Sequence, residues 1–122
     1  MERIEAALRV VLDFHEAFKR GDVASMVQLL SDDCILENAQ PAPDGAVYSG
    51  KEAAVTYYRE LFQGARQGRM QIEEIFGVGF RCIMRWRYEW LDEAGKMYYT
   101  RGVAIFRLKG GLICEILSYG KA

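Results

Sequence analysis

The chain has 122 residues, 51% of them hydrophobic, with 16 basic and 17 acidic side chains and a formal net charge of −1. That length accommodates one domain, taken here as 1–122, and the apolar share suffices for a packed core, which excludes wholesale disorder. A pI near 5.9 excludes the basic excess of a nucleic-acid binder. The longest apolar run, Val103 to Phe106, falls far short of the roughly 20 residues of a membrane span.

The opening Met1-Glu2-Arg3-Ile4-Glu5 lacks the basic-then-apolar layout of a signal peptide. Cys34, Cys82 and Cys114 show no metal-ligand spacing. The expectation is a cytoplasmic chain with reduced thiols, no metal, no nucleic acid and no membrane among its partners.

Residues 3 to 20 carry helical periodicity. Ile4, Ala7, Leu8, Val11, Phe14, His15 and Phe18 share one arc, and Glu2, Glu5, Arg9, Asp13, Glu16 and Lys19 lie opposite. Gly21 stops that helix, and Asp22 caps a second one predicted to run through Leu30. Ser31-Asp32-Asp33 ends it before a short strand, Cys34 to Asn38. A loop from Ala39 to Ser49 follows, holding both prolines, Pro41 and Pro43, and a third helix is predicted from Gly50 to about Phe62.

The second half reads as strands. Met70 to Phe76 alternates except at Glu74, and Phe80 to Leu91 alternates clearly. Cys82, Met84, Trp86, Tyr88 and Trp90 fall on one face, with Ile83, Arg85, Arg87, Glu89 and Leu91 on the other. Met97 to Leu108 returns, Lys109-Gly110-Gly111 turns, and Leu112 to Tyr119 closes the chain. Helices followed by a meander specify an α+β protein in which a curved antiparallel sheet wraps three helices into a cone. The open mouth of such a cone is an apolar pocket for a small molecule.

The chain resembles the nuclear transport factor 2-like (NTF2-like, cystatin-like) superfamily, in its SnoaL-like branch. The resemblance rests on Phe14 to Asp22 (FHEAFKRGD), Leu29 to Asp33 (LLSDD), Tyr48 to Ala53 (YSGKEA) and Phe106 to Ile113 (FRLKGGLI). That superfamily includes steroid isomerases, polyketide cyclases, epoxide hydrolases, dehydratases and binding proteins, so function must come from the site. In the ketosteroid isomerases the implied base position is Asn38, the oxyanion tyrosine position is Phe14 and the protonated aspartate position is Ala104. None of these side chains can carry out the isomerase role. No aspartate lies in the last three strands, which argues against the Asp-Arg-Asp group of the epoxide hydrolases.

Three residues remain as candidates for acid–base work. Tyr58, on the third helix, matches a supporting tyrosine of the isomerases; it either donates into the cavity or packs against the sheet. His15 is either a general base or a half-buried structural histidine. Glu74 either faces the cavity with a raised pKa or is turned outward by a bulge toward solvent or an arginine. The resemblance and the alternation together imply a ligand wall of Phe14, Phe18, Asn38, Tyr58, Met84, Trp86, Tyr88, Thr100, Ala104 and Ile116. Asn38 either bonds a ligand or caps the proline loop, and Trp86 and Tyr88 either stack on a ligand or fill the cone.

Arg85, Arg87, Arg101 and Arg107 alternate with the cavity face and so belong outside, with Glu89 and Glu115. Ile83, Val103, Ile105, Ile113, Leu117 and Tyr119 are expected to form an outer apolar patch, implying a homodimer through that face. The function read from all this concerns a small, apolar, polyketide- or steroid-like oxygenated molecule without a cofactor. It is met by isomerase, cyclase or dehydratase chemistry or by binding alone. The alternative is a protein-docking module of nuclear transport factor 2 type.

Overall fold

The computed structural model describes residues 2–39, 43–64 and 68–121. The expectations placed on the Ile4 side chain and on Pro41 lie outside what is described. Elements run α1 (Glu2–Arg20), α2 (Val23–Val27), β1 (Leu30–Asn38), β2 (Ala46–Ser49), α3 (Lys51–Gly64), β3 (Gly68–Val78), β4 (Arg81–Leu91), β5 (Met97–Lys109) and β6 (Leu112–Lys121). This is an α+β architecture with three helices on a six-stranded sheet ordered β2-β1-β6-β5-β4-β3. All neighbouring strands are antiparallel except β1 and β6, which run parallel.

The turn out of α1 is built by its last residues. Gly21 takes φ 66°, and its N–H donates to the Phe18 carbonyl while the Asp22 N–H donates to that of Ala17. This pair of bonds satisfies two helix-end carbonyls and needs a residue free to enter the left-handed region. Asp22 then accepts from the Ser25 N–H at 3.1 Å and caps α2. The predicted second helix was too long. It ends at Val27, and Leu30 opens β1 instead, because pairing with Ile113 of β6 buries Leu30 to 1% exposure. β2 falls within the stretch read as loop, and its four residues pair Ile35 to Asn38.

Two single-residue irregularities decide which side chains face the helices. Between β3 and β4 the register shifts after Ile72, so that Ile72 opposes Trp86 while Glu74 opposes Arg85. Ile75 rather than Phe76 then returns to the core. Between β5 and β6 the register shifts after Arg107, and Leu108 opposes Ile113. Ile113, expected on the outer patch, is therefore fully buried against the core. A bulge inverts the facing of every residue beyond it.

The core joins the helices to the inner sheet face through aromatic rings. Phe14 of α1 meets Tyr58 of α3 edge-on at 5.9 Å and Phe106 of β5 at 6.2 Å. Phe18 packs on Tyr58 at 6.2 Å and on Phe62 at 5.2 Å. Such pairs add about 0.5–1.5 kcal/mol each beyond their area burial. Trp86 lies flat across β5 and β6, over Gly102 and Gly120. A Cβ at Gly102 would collide with the indole and with the Tyr119 carbonyl. Gly102→Ala is expected to cost about 1–3 kcal/mol and to shift tryptophan emission as Trp86 is displaced, measured by urea unfolding followed by fluorescence. Unchanged stability would show that Trp86 is not held there.

Candidate functional site

Past the aromatic core, the inner face continues toward the β4–β5 hairpin as a strip of partly exposed side chains. Cross-strand pairs set its rows: Ile72, Trp86 and Gly102; then Met70, Tyr88 and Thr100; then Gly68, Trp90 and Tyr98. Glycine recurs where a large ring needs room. Tyr88 leans over Gly68 as Trp86 leans over Gly102. Tyr88 and Trp90 lie 5.7 Å apart, and Trp90 stacks on Tyr98 at 5.8 Å with planes 19° apart. The strip is amphipathic aromatic surface, suited to a flat apolar body.

A polar cluster flanks this strip on the β1–β6 side, where these parallel strands finish side by side and Gly120 lies opposite Gly102. Asn38 and Ser118 line a cavity of about 330 Å³ together with Glu37, Ala39, Pro43, Asp44, Tyr119 and Gly120. The Asn38 side chain lies beside the Tyr57 hydroxyl, and the Tyr57 ring rests on Tyr48 at 4.9 Å. Burial, and then the neighbouring Tyr48, push the Tyr57 pKa up, with the Asn38 side chain opposing them. Tyr57 is therefore a neutral phenol at physiological pH. An amide, a hydroxyl and a phenol can orient a carbonyl or hydroxyl oxygen but do not exchange protons readily near neutrality.

The ten residues assigned to the ligand wall divide into two groups. Phe14, Tyr58, Met84, Ala104 and Ile116 are buried together in the core. Phe18, Asn38, Trp86, Tyr88 and Thr100 are partly exposed. Tyr58 is enclosed by Phe14, Phe18, Tyr57 and Phe62, and this burial raises its pKa far above the ordinary tyrosine value. Asn38 lies beside Tyr57, the neighbour of the tyrosine singled out from the sequence. Tyr57, Ser118, Trp90 and Tyr98 are additions. Ser118 was readable from the alternation Ile116, Ser118, Gly120, whereas nothing local distinguishes Tyr57 from Tyr58.

Glu74 stands on the outer face with its carboxylate 3.2 Å from Arg85. The adjoining Glu73 holds Arg101 at 3.1 Å, while Arg87 pairs with Glu89 at 2.7 Å and Arg107 with Glu115 at 4.0 Å. These are exposed or half-exposed pairs, each worth at most about 1 kcal/mol. Among the described residues no group of three or more His, Cys, Asp or Glu is placed to hold a metal ion. No described helix is long and apolar enough to cross a membrane.

The description of the SnoaL-like domain family matches residues 11–116. The chain belongs to the SnoaL-like family. A solved NTF2-like protein of unknown function from Mesorhizobium loti is 32% identical, covering 98% of this chain and 94% of that one with a TM-score of 0.82. A proposed SnoaL-like polyketide cyclase from Jannaschia sp. CCS1 is 14% identical over 99% of this chain and 89% of its own, TM-score 0.85. TerC, co-crystallised with polyporic acid, is 12% identical over 95% and 92%, TM-score 0.80. The last two likenesses establish the NTF2-like fold alone. Comparison with curated proteins finds no significant match.

Within this SnoaL-like chain the lone histidine is a buried group, 6% exposed. Burial lowers the His15 pKa below its ordinary 6.5; the Lys19 charge adds to the effect and Glu16 opposes it. The unfolded chain takes up this proton as pH falls through about 6.5, and the folded chain does so only at lower pH. Stability must therefore fall with pH across that window. His15→Gln is expected to flatten the slope: the urea midpoint should drop between about pH 7.5 and pH 5 in the native protein and drop less in the variant. Equal slopes would assign the dependence to other groups.

Proposed function

We propose that this SnoaL-like domain, read as one unit over 1–122, binds a small, flat, largely apolar oxygenated molecule on its inner sheet face. Trp86 and Tyr88 supply the wall, extended by Trp90 and Tyr98 toward the hairpin, and Phe18 and Thr100 border it. Asn38, steadied by Tyr57 and flanked by Ser118, holds a carbonyl or hydroxyl oxygen. The single observation that carries this reading is an aromatic strip and the neighbouring Asn38–Tyr57 pair on one face. The buried residues Phe14, Tyr58, Met84, Ala104 and Ile116 form the floor beneath the ligand. The fold shared with TerC, which is crystallised with polyporic acid, supports a planar oxygenated occupant.

Binding alone fits the residues better than proton transfer. Phe14, Asn38 and Ala104 stand where the resembling isomerases carry their working groups, Glu74 is engaged by Arg85, and His15 is buried. A second reading, cofactor-independent isomerase, cyclase or dehydratase chemistry, is favoured by one feature. Glu37 and Asp44 line the same cavity as Asn38 and could take a proton from a ligand held there. Binding is tested with polyporic acid as probe, followed by quenching of tryptophan fluorescence. Asn38→Ala is expected to weaken the interaction about tenfold, the worth of one lost hydrogen bond at a partly buried site. Equal affinity in the variant, or no quenching in the native protein, would overturn the reading.

The outer face supports a second copy of the chain as partner. Phe76, Ile83, Ile105 and Leu117 form one continuous cross-strand row, with Phe76 44% exposed. Val103 and Tyr119 adjoin this row, and ion pairs flank it. Apolar residues on an outward face are stabilised by cover. A homodimer is therefore expected by light scattering, and Leu117→Arg should yield monomers that keep their far-ultraviolet spectrum. A monomeric native protein would contradict this and leave the face to a docking partner of another kind. A cytoplasmic location accords with three thiols kept in the interior.

A further inference from the structure

Two of the three buried thiols stand side by side where the sheet ladder is interrupted. β1 and β6 run parallel with Ile35 opposite Glu115, Leu36 opposite Ile116 and Glu37 opposite Leu117. One residue back along each strand lie Cys34 and Cys114, 2% and 8% exposed, both free. Cys34 shares the inner face with Leu36. Cys114 is the inserted residue of the β5–β6 bulge, since Arg107 opposes Glu115 and the next pair joins Leu108 to Ile113. The β1–β6 ladder has its own gap between Leu30 and Ile35. Both cysteines therefore border gaps in the strand pairing around β6, while the Cys34 carbonyl accepts the Gly50 N–H at 2.7 Å on the other side.

Adjacent strands lie about 4.8 Å apart, and a disulfide spans Cα separations of about 4.4–6.8 Å. The neighbourhood also acts on the thiols. Burial raises the Cys34 pKa, Lys51 opposes it, and Cys114 is close enough to contribute. A buried thiol raised as Cys34 is is protected from casual oxidation, so the bond would form only under deliberate oxidising conditions.

We propose that Cys34 and Cys114 are a redox pair that closes to a disulfide under a peroxide, tying β1 to β6 at the start of the segment that carries Asn38. One thiolate attacks the peroxide O–O bond, giving a sulfenic acid and expelling hydroxide, which takes up the proton that the thiol lost and leaves as water. The second thiolate attacks that sulfur and expels hydroxide, which takes a proton to become a second water. Two S–H bonds are lost and one S–S bond forms, and the two electrons given up reduce hydrogen peroxide to two waters. Cys82, on β4 opposite Phe106, lies two strands from Cys114 and serves as the internal control.

The test exposes the native protein to hydrogen peroxide, then quenches, unfolds, alkylates and digests it for mass spectrometry. The expected product is lighter than the reduced chain by two hydrogens before alkylation. It carries alkylation at Cys82 alone, links the Cys34 and Cys114 peptides, and reverts with dithiothreitol. Cys82→Ala should form the same link. Alkylation of all three cysteines, sulfinic acid without a link, or a bond through Cys82 or between molecules would each overturn the proposal.

Discussion

The ring of Phe14 holds this structure together. It sits between Tyr58 of α3 and Phe106 of β5, so one side chain fixes the distance from α1 to both the other long helix and the sheet. The proposed site depends on that spacing. The helices cover the middle of the inner face, and the strip beyond them keeps Trp86, Tyr88, Trp90 and Tyr98 partly open. A core closed this tightly tolerates little change in volume, and the proposed ligand site accordingly lies at its margin rather than inside it.

Two inserted residues then sort chemistry between the faces. The irregularity in β3 sends Glu73 and Glu74 to the arginines of the outer face and returns Ile75 inward. Without it the alternation would place a carboxylate among the core residues, where desolvation would raise its pKa into the acid–base range. The bulge at Cys114 performs the reverse exchange. It withdraws Ile113 from the outer patch and brings Cys114 beside Cys34. The inner face is thereby left with amide, hydroxyl and phenol groups, and the carboxylates nearest to them are at the rim.

Much of this was legible in the amino-acid sequence because it rests on local periodicity. The arc of α1, the turn at Gly21–Asp22, and the alternation of β4 each follow from neighbours in the chain. The boundary of α2 was not legible, because Leu30 becomes strand only through pairing with Ile113, more than eighty residues away. β2 is four residues long, too short to show a period, and exists through its pairing with β1. The bulge in β3 showed as a broken alternation at Glu74, but the one at Cys114 leaves no such mark, so the facing of Ile113 could not be read. Asn38 enters the proposed site through the resemblance. Its partner Tyr57 was missed in favour of Tyr58, because adjacent helical residues are separated only by which one the sheet happens to bury.

The account stands on a ligand held by the inner face between the aromatic strip and Asn38. Amide and indole chemical shifts recorded while polyporic acid is added test it most directly. The account predicts that shifts concentrate at Asn38, Tyr57, Trp86, Tyr88 and Ser118, with the outer-face residues Ile83, Ile105 and Leu117 unmoved. Shifts confined to the outer row, or none at saturating probe, would contradict it.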